Sequence, residues 1–384
     1  MPLSIDEREE LRAVVRDLLL HESPPERVRA VVYDDPGFDR ALWNQMVELG
    51  WSSIHVPERF GGGGAGYTEL AVVLHELGRS IVPVPFLASA VLATSAFLLS
   101  DHDALAGEVL ESLVAGEVLG SAALASTDGS YDPSLLTTRW EPAAGSLRLR
   151  GAAGFVLDAD VADILVVAAR GADETSAVVV VDTTAPGVHV ERVPTVDATR
   201  RLFTVSFADV VVGEDRMVCE PGVSADEFLA RMLAVGVIAA ACDATGAAER
   251  VLEQAAEYAK ERSQFGKPIG TFQAVKHHCA NMAIGVHASR AAVAAAAGAL
   301  DGDPTDWPAR AAVTSSYVGP ACSEVCALGL LVHGGIGFTW EHDSHLYLKR
   351  AKLDEVLFGT PSWHRRRLAQ TLVDRVAPMS EECA

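Results

Sequence analysis

Two segments of this chain combine residue types suited to binding phosphate. Glu261-Arg-Ser-Gln-Phe-Gly-Lys-Pro-Ile-Gly270 places an arginine, a phenylalanine and a glycine where one helical pattern ends and the next begins. A guanidinium fork matches paired phosphate oxygens, and Gly266 ends a helix without side-chain obstruction. Taken alone, an arginine near a helix end is usually just solvated. The second segment, His333-Gly-Gly-Ile-Gly-Phe338, runs on through Thr339-Trp-Glu-His-Asp343 to Leu348-Lys-Arg-Ala351. Its glycines let backbone approach a ligand closely, although an isolated GGxG is more often a turn.

Other clusters carry less. His342 and His345, with Glu341 beside them, lack a third well-spaced ligand, so no metal is expected. Lys276, His277 and His278 lie just past Gln273, where paired histidines are more often solvated or capping groups than catalytic ones. Gly61 to Gly64 lacks the Lys-Ser/Thr of a phosphate loop and reads as a flexible turn. No G-x-G-x-x-G follows a strand, which argues against a nicotinamide enzyme.

The elements that must position these segments follow from periodicity. From Ser4 to about Ala115 the apolar spacing is helical, interrupted at Val56-Pro-Glu-Arg-Phe-Gly-Gly-Gly-Gly64. Between Leu119 and about Val218 short β-branched runs appear, among them 164–168, 177–182 and 202–207. Helical periods return over 225–261, 268–300, 306–331 and 362–376, with Pro268 expected to open its helix. The helix before Arg262 is apolar on most faces and the next is mostly alanine, so both are expected inside a bundle. This gives an α+β chain in three stretches: an N-terminal helical domain (1–116), a middle β domain (117–222) and a C-terminal helical domain (223–384).

Composition narrows the partners. With 31 Lys+Arg against 52 Asp+Glu, a net charge of −21 repels nucleic acid and anionic lipid. Hydrophobic residues make up 49% and charged ones 22%, apolar enough to suggest subunit contacts and an oligomer. The six cysteines, Cys219, Cys242, Cys279, Cys322, Cys326 and Cys383, form no CxxC pair. The N-terminus is charged and amphipathic, so reduced thiols and a cytoplasmic location are expected. The most apolar stretch, Leu233 to Cys242, is broken by Asp243, and no membrane span is expected.

Arg262-x-x-Phe265-Gly266, the glycine loop after His333, and Val56-Pro-Glu-Arg-Phe-Gly-Gly62 with Glu76-Leu-Gly-Arg79 and Pro83-Val-Pro85 together resemble the acyl-CoA dehydrogenase family over roughly residues 5 to 375. The resemblance implies that family's fold: an N-terminal helical domain, a middle β-barrel or sandwich, and a C-terminal four-helix bundle. It implies FAD, with Arg262 on the pyrophosphate of a neighbouring subunit's cofactor, Phe265 packed on it and Gly334 and Gly335 facing it. Ser126, Phe155 and Thr360 fall at the remaining cofactor-binding positions. The implied reaction is α,β-dehydrogenation of an acyl-CoA thioester, in fatty acid or steroid side-chain degradation, with an electron-transfer flavoprotein as acceptor.

The chain departs from the family where its own active site would lie. In family members a glutamate before Gly-Thr removes the α-proton; here Glu355-Val-Leu-Phe-Gly-Thr360 puts Phe358 at that place, and phenylalanine accepts no proton. The alternative base position, on the helix before Arg262, is Gly236. Asp243 and Glu355 are nearby, but a helix turns about 100° per residue, so neither points where the matched positions would. Ser126-Thr-Asp-Gly-Ser130 stands for the family's Thr-Glu-Pro turn. Phe155-Val-Leu157 stands for its Trp-Ile-Thr, with a ring donor lost. Leu331 replaces a glutamine ahead of the glycine pair.

These residues suggest a base-lacking subunit paired with a catalytic homologue, in a heterotetramer of two unlike pairs. The alternatives are a flavin-dependent monooxygenase of the same fold, a homotetrameric dehydrogenase with an unorthodox base, and a cofactor-free scaffold.

Overall fold

The computed structural model describes residues 3–33, 37–302 and 306–381. Contacts gather the chain into two compact units, Met1–Val73 with Val82–Gly236, and Leu74–Ile81 with Val237–Ala384.

The first unit opens with α1 (Ile5–Glu22), α2 (Pro25–Val32), α3 (Arg40–Glu48) and most of α4 (Tyr67–Arg79). α1 begins where Ser4 and Glu7 cap each other: the Glu7 N–H donates to Ser4 Oγ at 3.2 Å and the Ser4 N–H to Glu7 Oε2 at 2.7 Å. A buried π-helical turn, Phe86–Ala93, leads into α5 (Thr94–Leu98) and then α6 (Asp103–Val114). The sheet packs onto that turn through β1 (Gly120–Ala123), where a Cβ on Gly120 would sit 2.4 Å from that of Ala93.

Seven further strands complete the sheet: β2 (Thr138–Ala143), β3 (Ser146–Leu157), β4 (Ile164–Gly171), β5 (Ser176–Asp182), β6 (Val188–Val193), β7 (Leu202–Gly213) and β8 (Met217–Cys219). Their order is β6-β7-β3-β2-β4-β5-β8, with β1 and β2 following one another, both parallel, along one side of β4. Leu149, Val156, Leu165, Val179, Phe203 and Val205 from four of these strands share one core, so this eight-stranded sheet is the middle β domain expected from the β-branched runs.

A 39-residue helix, α7 (Val223–Glu261), runs from the first unit into the second. It ends in the hairpin β9 (Ser263–Gln264) and β10 (Lys267–Pro268), followed by α8 (Gln273–Asp301), α9 (Trp307–His333), α10 (Ser344–Val356) and α11 (Pro361–Glu381). α9 packs against α8, α10 and α11, and its Gly329 lies under Val251 of α7. In the second unit the end of α4 crosses α7 at two glycines. A Cβ on Gly78 would lie 2.0 Å from the Asp243 carbonyl oxygen, and one on Gly246 would lie 1.9 Å from that of His75.

Charge locks this crossing. Arg79 reaches Glu76, Glu249 and Glu253, the last at 2.7 Å, while His75 lies 3.0 Å from Glu249. Burial opposes the charge of Glu249, but the His75 hydrogen bond and the charges of His75, Arg290 and Arg79 outweigh it, leaving the pKa at about 2. Asp243 makes a buried ion pair with Arg350 of α10 at 3.1 Å.

Several expectations are corrected. Pro268 lies in β10 and leads into a single 3-10 turn, Ile269–Thr271, rather than opening the long helix; α8 begins at Gln273, because the chain must first complete the hairpin and this turn after Arg262. α8 is not buried all round: Met282, Val286 and Val293 face inward while Ile284 is 65% exposed. Alanine on every face gives a helix no preferred side. Gly61 to Gly64 form a packed turn rather than a flexible one, since a Cβ on Gly62 would lie 2.2 Å from the Val56 carbonyl oxygen. α7, α8 and the stretch from α9 to Phe338 are each long and apolar enough to cross a membrane by length and composition, Asp243 notwithstanding; the α7 window is 89% buried within the chain. Cys383 lies outside the described residues; the five described cysteines form no disulfide.

Gly246→Ala is expected to destabilise the chain by about 2 kcal/mol or more, overpacking outweighing the better helix former. Asp243→Ala, which strands the Arg350 charge, is expected to cost about 3–5 kcal/mol. Both should lower the urea midpoint at unchanged slope; a more stable Gly246→Ala variant would show that the crossing is looser than described. Because the pKa of Glu249 is depressed, its contribution is complete above the ordinary 4.5 and is lost as pH falls through about 2. The midpoint of the parent should therefore fall on acidification from pH 5 more steeply than that of Glu249→Gln.

Candidate functional site

The end of α7 builds the first half of the site. Lys267 pairs with Gln264 and Pro268 with Ser263, so Phe265 and Gly266 form a two-residue hairpin loop. Both are left-handed, at φ +53° and +77°, as a type I′ turn demands. Glycine meets that demand freely, whereas a phenylalanine there is strained. Its ring is nevertheless 92% exposed and touches Phe272 edge to face, at 6.2 Å between centroids. Arg262, also exposed, is anchored by its backbone: its N–H donates to the Tyr258 carbonyl at 2.9 Å and its own carbonyl accepts from Ile269 N–H at 2.8 Å.

The end of α9 builds the second half. Gly334, at φ +65°, breaks the helix, and a Cβ on Gly334 or Gly335 would meet no atom within 4 Å. Gly337, by contrast, is buried against Leu330. The two halves meet through rings. His333 lies 4.7 Å from Tyr258 and 4.3 Å from His342, centroid to centroid, and its Nδ1–H donates to the Gly329 carbonyl at 2.7 Å. Tyr258 carries no motif signal; the one hint is an aromatic placed a helical turn before Arg262.

Between α10 and α11 the chain turns at Phe358 and Gly359, at φ +63° and +103°. Phe358 is buried, and its carbonyl is held at 2.9 Å by His364 Nε2. Burial pushes the His364 pKa down to about 4, so near neutral pH the ring is uncharged and its Nε2–H donates. The Thr360 hydroxyl accepts from Trp363 N–H at 3.3 Å and so caps α11. Gly236, at the alternative base position, is buried in α7.

The nearby carboxylates are committed elsewhere. Both oxygens of Asp243 accept from Arg350, and Glu355 Oε2 accepts from the Ser323 hydroxyl at 2.6 Å and from Lys352 at 2.9 Å. A carboxylate held by a buried guanidinium is a poor proton acceptor.

Ser126 and Phe155 come together in the sheet unit. The Ser126 N–H donates to the Ser130 carbonyl at 2.9 Å and its hydroxyl donates to Asp128, so its polar groups close the turn on itself. Phe155 sits left-handed, at φ +54°, on a bulge of β3, and its ring covers Gly129 of the same turn. That leaves the Ser126 hydroxyl and amide committed within the turn, while the Phe155 ring is 36% exposed. The other surface fits a dinucleotide. Arg262, just past the C-terminal end of α7, supplies an exposed fork for a diphosphate, Phe265 an exposed ring, and Gly334 and Gly335 open space for close approach.

The family model for the acyl-CoA dehydrogenase N-terminal domain matches residues 5–117, and that for the C-terminal domain matches residues 227–373. Acyl-CoA dehydrogenase IpdE2 of Mycobacterium tuberculosis is 34% identical over 364 residues, covering 94% of this chain and 96% of that protein. Among solved structures, the ChsE4-ChsE5 complex from Mycobacterium tuberculosis superposes with a TM-score of 0.88 at 28% identity, covering 97% of this chain and 98% of that one. The Tcur3481-Tcur3483 steroid ACAD does so at 0.88 and 29%, covering 97% and 99%. A chain matched by both domain models and aligned over nearly its whole length to such relatives belongs to the acyl-CoA dehydrogenase family.

Proposed function

We propose that this chain is the base-lacking subunit of a heteromeric, FAD-dependent acyl-CoA dehydrogenase, paired with a homologous catalytic subunit in a heterotetramer of two unlike pairs. One observation carries the reading. A buried phenylalanine, in a left-handed turn held by a neutral histidine, stands where the family places its glutamate, and the neighbouring carboxylates are tied up by Arg350, Ser323 and Lys352.

The reaction removes a proton from Cα of an acyl-CoA thioester and a hydride from Cβ. FAD, when bound, accepts the hydride. The partner supplies the proton acceptor. This chain's own part is to hold the cofactor from the opposite side: Arg262 neutralises the pyrophosphate, Phe265 excludes water from the flavin's edge, and Gly334 and Gly335, lacking side chains, leave room for it to lie close. The relatives solved as two-component complexes, one of them named a steroid ACAD, support both the unlike pairing and a bulky, ring-bearing acyl group. Electrons leave through an electron-transfer flavoprotein.

Flavin content and native mass of the chain alone, and after co-expression with its homologue, test this reading. The chain alone is expected to be colourless, and the complex to carry about one flavin for every two chains. A fully flavinylated homotetramer of this chain alone overturns it. Within the complex, Arg262→Ala is expected to weaken flavin retention roughly 10–100-fold, the loss of a charge-assisted contact, read by fluorescence of released flavin.

A further inference from the structure

We infer that His333 is a positioning residue for the cofactor-facing surface: clamped between Tyr258 and His342, it fixes the Arg262–Phe265 hairpin relative to the Gly334–Gly335 loop. This rests on the proposal that both segments serve a partner's flavin. In that reading they approach one cofactor from two different helix ends, and both can contact it only if the spacing between those ends is set beforehand. Tyr258 is the joint on one side. Its carbonyl accepts the Arg262 N–H at 2.9 Å while its ring lies 4.7 Å from that of His333. His333 is the residue immediately before Gly334, which has no side chain of its own to hold it in register.

His342 closes the stack from the other side, at 4.3 Å and an interplanar angle of 52°. Its Nδ1 lies 3.1 Å from the backbone nitrogen and 2.7 Å from the hydroxyl oxygen of Ser344, so the ring is tied to the first residue of α10. The His333 ring is 4% exposed, and its Nδ1–H is spent on the Gly329 carbonyl. A histidine that merely capped α9 would need only that last bond. The two ring contacts reach α7 and the segment entering α10, which is what a spacer between separate elements requires.

The test uses the co-expressed complex and FAD. His333→Leu keeps the bulk but not the flat polar ring, Tyr258→Leu removes the joint, and His333→Phe keeps a stacking ring. Each leucine variant is expected to weaken flavin retention roughly tenfold and the phenylalanine variant by no more than about twofold, with native mass unchanged. If both leucine variants retain flavin within about twofold while Arg262→Ala loses it, the clamp is overturned and the partner-cofactor reading stands. If Arg262→Ala also retains flavin, that reading falls and takes the clamp with it. Should His333→Leu not assemble, Tyr258→Leu decides alone, since its ring is only partly buried.

Discussion

One buried carboxylate organises the helical unit. Asp243 pairs through both oxygens with Arg350 of α10, and its backbone carbonyl sits where a Cβ on Gly78 of α4 would otherwise be. Three elements thus meet at a single turn of α7. Removing two charges from water is costly unless geometry and hydrogen bonding compensate, and here both carboxylate oxygens accept from the buried guanidinium Nη1, at 3.1 and 3.2 Å. The same pairing silences Asp243 as a base. A group that holds a fold in this way has little freedom to accept a substrate proton.

Two strained aromatic positions lie in the same unit. Phe358 and Phe265 both adopt left-handed backbone, at a cost of about 1–3 kcal/mol each. Phe358 is buried, and His364 ties its carbonyl. Phe265 is almost fully exposed, yet its turn is set by the β9–β10 pairing on either side. Strain maintained at a buried turn is explained by packing. At Phe265 the hairpin pairing imposes the backbone, but burial does not explain an apolar ring there, and an exposed ring fits a surface shaped for something outside the chain.

Much of the fold is legible in the sequence because periodicity reports one-dimensional facts. The β-branched runs at 164–168, 177–182 and 202–207 become β4, β5 and β7 since side chains alternating along a strand must bury one face. Arg262-x-x-Phe265-Gly266 was readable by its resemblance to a family signature, while its hairpin was not, since a phenylalanine at a left-handed turn position goes against local preference. The misreadings share another cause. Alanine in α8 carries no directional preference, so its exposed face is invisible in composition. Pro268 satisfies the rules for a helix start and for an edge strand alike, and only the pairing of Lys267 with Gln264 chooses between them. Gly62 and Gly63 read as loose because the partners nearest them, Val56 and Ile54, approach chiefly through backbone atoms that every residue possesses.

The sequence by itself determined the order of helices and strands, the family, and the absence of a carboxylate at positions 236 and 358. Those follow from residue identity and local spacing. Tertiary structure decided what the remaining polar groups are free to do. That Asp243 is spent on Arg350, Glu355 on Ser323, and Ser126 on its own turn is not written locally, because each partner arrives from another part of the fold or from a backbone conformation that packing selects. The meeting of Tyr258, His333 and His342 is of the same kind. Ring stacking acts over a few ångströms, and 75 residues of chain separate the first two rings until α9 folds back beside α7.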